Sequence, residues 1–112
     1  MMNIRNINAS EAKQLIDENK NNSEFVIMDV RTPEEYNAAK LKNSINYDIY
    51  GRDFVNKISE LDKNKIYFIY CHSGNRSFMA ANIMLKLGFQ NVYNLENGII
   101  EWDNLNYPLV FQ

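Results

Sequence analysis

The residues best able to do chemistry lie together in Cys71-His72-Ser73-Gly74-Asn75-Arg76, which holds the chain's single cysteine and single histidine. This stretch follows Ile66-Tyr67-Phe68-Ile69-Tyr70, an apolar run that reads as a buried strand, and precedes a helical segment. A cysteine at the carboxyl end of such a strand, with a helix starting just beyond it, lies where open α/β sheets place their ligands. Backbone N–H groups around a helix N-terminus converge there on an anion. Surroundings of that kind lower a thiol's pKa below its free value of about 8.5 and make it a nucleophile. Gly74 lets the loop curl, and Arg76 adds a permanent cation with a fork of donors. Cys71 is therefore the expected catalytic nucleophile, with His72, Ser73, Gly74, Asn75 and Arg76 as the anion-binding loop.

The supporting roles are less uniform. A positive charge near a helix start is slightly unfavourable, which argues that Arg76 has a structural or catalytic purpose. His72 is not expected as a general base, because a thiolate already formed needs none. Ser77 is expected to bond locally, back toward the thiolate. Asp29 and Arg31 end a neighbouring strand near the same sheet edge, where a structural salt bridge is expected, with Arg31–Glu35 as another pairing.

The elements that must position these residues follow from local signals. Asn8 and Glu11 form a capping box ahead of an apolar face at Ala12, Leu15 and Ile16. A short strand over Ile4 to Ile7 precedes that helix, and Phe25-Val26-Ile27-Met28 reads as a strand covered on both faces. Thr32 as cap, Pro33 at the first position and Glu35 three residues on predict a helix running to about Ala39. A brief strand is expected over Ser44 to Tyr47 and a helix over Phe54 to Leu61. After the loop, a helix is predicted from Ser77 to Leu87, ended by Gly88. Asn91 to Leu95 reads as a last strand and Gly98 to Leu105 as a last helix, with Pro108 ending regular structure. Strands alternating with helices predict an α/β fold, a mainly parallel central sheet between two helical layers.

Composition narrows the function. The 112 residues fit one domain, 1–112. The net charge of -2 and the lack of a basic cluster argue against nucleic acid as a partner. One cysteine excludes an intrachain disulfide and a C-x-x-C pair, and one adjacent histidine leaves little for a metal site. Neither a metal nor a cofactor is expected. No apolar run is long enough to span a membrane and no signal sequence is evident, so a cytoplasmic, monomeric protein without membrane contact is the expectation.

Several motifs in order resemble the rhodanese (thiosulfate sulfurtransferase) family in its single-domain form. Tyr70 to Ser77 is similar to that family's active-site loop, and Leu87-Gly88-Phe89-Gln90-Asn91-Val92-Tyr93-Asn94-Leu95-Glu96 to the stretch after the loop helix. Asp29-Val30-Arg31 with Pro33-Glu34-Glu35-Tyr36 resembles its first block, and Trp102 with Tyr107-Pro108 its ending. The resemblance implies a three-layer α/β/α domain with about five strands. It also implies that Cys71 takes a sulfane sulfur from a donor such as thiosulfate and passes it, as a persulfide, to cyanide or a thiol. The amides of residues 72 to 76 would cradle the persulfide, and Arg76 would help bind the anionic donor. Asp29 and Arg31 would brace the surrounding loops. With no second cysteine, the acceptor must be external, a small thiol or a partner's cysteine.

Departures from the family pattern are local. Where the family commonly reads Gly-His-Ile-Pro-Gly-Ala, this chain has Ala39-Lys40-Leu41-Lys42-Asn43-Ser44, so Lys40 replaces a histidine. Asn97 and Asn106 stand where glycines are common. Asparagine best tolerates left-handed dihedrals among non-glycine residues, so these changes are expected to preserve geometry. Two other functions remain open. A phosphatase or arsenate reductase is disfavoured because Cys71 and Arg76 form C-x4-R, whereas tyrosine phosphatases carry C-x5-R. A non-catalytic binding or sensing domain would usually have lost the cysteine.

Overall fold

The computed structural model describes residues 3–112. Five strands form one all-parallel sheet in the order β1-β6-β5-β2-β4, comprising β1 (Ile4–Ile7), β2 (Phe25–Asp29), β4 (Ile45–Asn46), β5 (Ile66–Tyr70) and β6 (Asn91–Leu95). The helices α1 (Ala9–Glu18), α2 (Pro33–Ala38), α3 (Phe54–Ser59), α4 (Asn75–Lys86) and α5 (Gly98–Asn104) connect them. A two-residue antiparallel ribbon, β3 (Ala39–Lys40) with β7 (Val110–Phe111), lies outside the sheet.

Side-chain alternation on the central strands divides the core in two. On one face Met28, Tyr67, Ile69 and Val92 pack under Phe54 and Ile58 of α3 and Ala80, Ala81 and Met84 of α4. On the other, Ile27, Phe68, Tyr70 and Leu95 meet Ala9 and Ala12 of α1 and Ile99 and Trp102 of α5. Being covered on both faces explains why β2 and β5 read as continuous apolar runs. The result is the expected three-layer α/β/α architecture around a parallel sheet of five strands.

Both predicted capping boxes are present, Asn8 with Glu11 and Thr32 with Glu35. Several boundaries differ from expectation, among them the end of α3, which stops at Ser59 rather than Leu61, and β4, which is only Ile45–Asn46. Helix α4 starts at Asn75 rather than Ser77, because Gly74 at φ 103° completes the turn two residues earlier. Helix α2 stops at Ala38, since Ala39 is extended and enters the ribbon. Regular structure also continues past Pro108, because Val110 and Phe111 find extended partners in Lys40 and Ala39 and pair with them.

The asparagines divide as well. Asn106 has φ 59° and Asn43 φ 66°, so both occupy the left-handed region. Asn97 does not, at φ -106°; the left-handed residue of that turn is Gly98, at φ 69°. Lys40 lays its ammonium 4.2 Å from the centroid of the Tyr36 ring, a cation–π contact at the replaced histidine position.

Candidate active site

Strand β5 is the middle of the sheet, and Cys71 is the first residue beyond it. Its side chain falls on the α3–α4 face and is 1% exposed. Two donors reach the sulfur. The Gly74 N–H donates to Cys71 Sγ at 3.1 Å, and the Ser77 hydroxyl at 3.4 Å. The same hydroxyl lies 3.2 Å from the Gly74 carbonyl oxygen, so Ser77, fully buried, ties the first turn of α4 to the loop that precedes it. A thiolate here would gain an amide, a hydroxyl and the positive end of a 12-residue helix.

The loop is held from beneath by the next connection. The amides of Ile99 and Ile100 donate to the carbonyls of Cys71 at 2.9 Å and His72 at 3.2 Å. The contact is too close for side chains. A Cβ on Gly74 would overlap the Glu96 carbonyl, and one on Gly98 would overlap the carbonyl of His72. His72, Ser73 and Asn75 are exposed along the rim.

Arg76 lies in the first turn of α4, and its guanidinium is taken up by Glu35 of α2. The pair is bidentate, Nη1 to Oε1 at 2.7 Å and Nη2 to Oε2 at 3.0 Å. Thr32 also donates to Glu35 Oε1, from its N–H at 3.2 Å and from its hydroxyl at 3.1 Å, which fixes the carboxylate. The hydrogen bond from Arg76, together with those from Thr32, outweighs partial burial and lowers the Glu35 pKa to about 2. The Arg76 pKa is raised, chiefly by the same bond. The Tyr50 ring, 69% exposed, sits 6.0 Å from the guanidinium carbon on the solvent side.

Asp29 and Arg31 form a buried ion pair, 2.7 Å from Nη2 to Oδ2, with Arg31 Nη2 also donating to the Ala39 carbonyl at 2.6 Å. Arg31 therefore pairs with Asp29 rather than with Glu35, whose carboxylate is committed to Arg76. Its guanidinium carbon also lies 5.5 Å from the centroid of the Tyr70 ring. The Arg31 bond to the Ala39 carbonyl ties the end of β2 to the end of α2.

The structure thus brings Cys71, Gly74 and Ser77 into contact, pairs Arg76 of the same helix start with Glu35, and joins Asp29 and Arg31 in a separate buried pair at the end of β2. Glu35, Gly98 and Tyr50 were not singled out by sequence for the site. Glu35 was accounted for by its capping box, and its partner is 41 positions away. Among the described residues, no cluster of His, Cys, Asp and Glu could hold a metal ion. No described helix is long and apolar enough to cross a membrane. A half-open groove of about 670 Å³ lies elsewhere, bordered by α1, Phe25 and Trp102, and no residue of the Cys71 loop lines it.

The chain is similar to known proteins over most of its length. The model of the rhodanese-like domain family matches residues 8–105. A sulfurtransferase of Allochromatium vinosum is 27% identical over 104 residues, covering 93% of this chain and 95% of that protein. A tRNA uridine(34) hydroxylase of Cytophaga hutchinsonii is 37% identical over 86 residues, and the match spans 74% of this chain but only 28% of the hydroxylase. The crystal structure of a rhodanese-related protein from Thermoplasma volcanium superposes with a TM-score of 0.78 at 33% identity, covering 96% of this chain and 99% of the other. With a family model matched over most of its length, the chain belongs to the rhodanese-like domain family.

Proposed function

We propose that this chain is a sulfurtransferase that carries a sulfane sulfur as a persulfide on Cys71, with residues 1–112 acting as one domain. The observation that carries this reading is the environment of Cys71 Sγ, which accepts from the Gly74 amide and the Ser77 hydroxyl at the start of α4. In the first half-reaction the Cys71 thiolate attacks the outer sulfur of a donor such as thiosulfate. A Cys71–sulfur bond forms, the donor's S–S bond breaks, and sulfite leaves with the electron pair. The terminal sulfur then lies in the cradle of residues 72 to 76, where amides stabilise its negative charge. In the second half-reaction an acceptor thiolate or cyanide attacks that sulfur and restores the Cys71 thiolate. Cys71 is the chain's only cysteine, so the acceptor is another molecule. The four residues between Cys71 and Arg76 support transfer of a sulfur atom over a bulkier phosphoryl group.

The test is intact mass spectrometry of the reduced protein after incubation with thiosulfate and desalting, beside Cys71→Ser. The expected result is a gain of about 32 Da in the wild type alone, removed by cyanide or a thiol. A folded wild type left unmodified by thiosulfate and by other sulfane-sulfur donors would overturn the reading.

A further inference from the structure

The proposed half-reaction brings an anion to a thiolate, so the uncompensated charge around Cys71 decides which donors approach it readily. Between residues 71 and 76 the only cation is Arg76, and both terminal nitrogens of its fork are bound by Glu35. Glu35 is itself fixed by Thr32, so the carboxylate is built in rather than casually placed. The second arginine at this sheet edge, Arg31, is matched by Asp29 in the same way. These four side chains sum to zero. The connection from β4 to α3 carries Arg52 but also Asp48 and Asp53, and adds no positive charge. The positive end of α4 and the Gly74 amide remain, and the thiolate already draws on them.

Resting on the sulfurtransferase reading, we infer that this site selects sulfane-sulfur donors bearing one negative charge over dianionic thiosulfate, because Glu35 neutralises the loop's only cation. Both donor classes undergo the same exchange. The thiolate forms a bond to the outer sulfur, the donor's S–S bond breaks, and its electron pair leaves on sulfite from thiosulfate or on sulfinate from a thiosulfonate. No further oxidant or reductant enters. Glu35 is then a specificity-determining residue that acts through Arg76.

The experiment measures the rate of one-sulfur mass gain on Cys71 with two probes, the methanethiosulfonate anion and thiosulfate, in wild type and Glu35→Gln. Glutamine can keep the capping box with Thr32 while removing the charge. Intrinsic reactivity differs between the probes, but it cancels when the rate ratio is compared between proteins. The expected result is a thiosulfonate-to-thiosulfate ratio about tenfold smaller in Glu35→Gln, through faster loading from thiosulfate, the scale of one partly screened charge. Arg76→Gln, which leaves Glu35 unpaired, moves the ratio the opposite way. An unchanged ratio, or equal slowing with both probes, overturns the selection while the sulfurtransferase reading stands. If neither probe loads Cys71 in any of the three proteins, that reading fails and the selection with it.

Discussion

The α carbon of Gly98 lies against the carbonyl of His72, so close that an added Cβ would overlap its oxygen and carbon. Two hydrogen bonds hold the same approach, from Ile99 to the Cys71 carbonyl and from Ile100 to the His72 carbonyl. The start of α5 is therefore a floor for the Cys71 loop, and the curl that directs the Gly74 amide at sulfur depends on it. Gly98 combines a left-handed φ of 69° with this contact, whereas Gly88 has φ 97° but meets only the flexible end of Lys63 at 3.7 Å.

Gly98→Ala and Gly88→Ala separate backbone strain from loop support. Both incur the left-handed penalty, about 1–2 kcal/mol for a residue with a Cβ. Only Gly98→Ala must also displace the loop, and misplacement of about 1 Å can cost about a hundredfold in rate. Urea denaturation should show both variants destabilised, Gly98→Ala more. Sulfur loading on Cys71 should fall steeply in Gly98→Ala and stay near wild type in Gly88→Ala. Equal loading by the two variants would contradict a supporting role for α5.

Ser77→Ala removes one of the two donors to the thiol. The Gly74 carbonyl keeps its partner, because the Phe78 amide also donates to it at 3.1 Å. The substitution should therefore alter stability by no more than about 1 kcal/mol. Loss of one hydrogen bond to the sulfur should slow loading roughly five- to tenfold. A time course of mass gain, read beside a thermal melt, checks both. Wild-type loading in a normally stable variant would show that the Gly74 amide suffices.

Much of this arrangement was legible because it is local. β1, β5 and β6 occupy the segments their apolar patterns mark, and the capping boxes at Asn8 and Thr32 form as their spacing demands. Features that join distant segments were not. Glu35 satisfies its local helix start so fully that nothing in its neighbourhood signals a second bond to Arg76 across the sheet edge. Val110–Phe111 is too short to show alternation and becomes a strand only because Ala39–Lys40 lies beside it. At Asn97-Gly98 the sequence puts left-handed geometry on Asn97, but the fold puts both that geometry and the close approach on Gly98.

Asp29→Asn should reveal the weight of the buried pair. Asp29 is fully buried and Arg31 is 4% exposed, so neutralising the carboxylate leaves a guanidinium with little solvent to replace it. Removing one partner of such a pair typically costs about 3–5 kcal/mol. Replacing both, as Asp29→Leu with Arg31→Met, should cost less than Asp29→Asn alone, because no orphaned charge remains. Urea midpoints of wild type, single and double variants test the order. A double variant weaker than the single would mean that the Arg31 bond to the Ala39 carbonyl matters more than charge balance.

Glu35 should also give the acid limb of stability a traceable component. Its pKa is lowered from 4.5 to about 2 in the folded chain, first by the hydrogen bond from Arg76. Between those values the folded state binds fewer protons at this site than the unfolded state does. The stabilisation is therefore fully present above about pH 4.5 and is lost as pH falls toward 2. Because the Glu35 side chain is 32% exposed, solvent screening keeps the contribution small, under about 1 kcal/mol. Denaturation midpoints taken from pH 5 to pH 2 should fall less steeply for Glu35→Gln than for wild type. Arg76→Gln should flatten the curve similarly, since the shift depends on the pair. High salt should narrow the gap between wild type and both variants, as expected for a partly exposed ion pair. Parallel curves for wild type and Glu35→Gln would mean that the pair holds the site's geometry without contributing to acid stability.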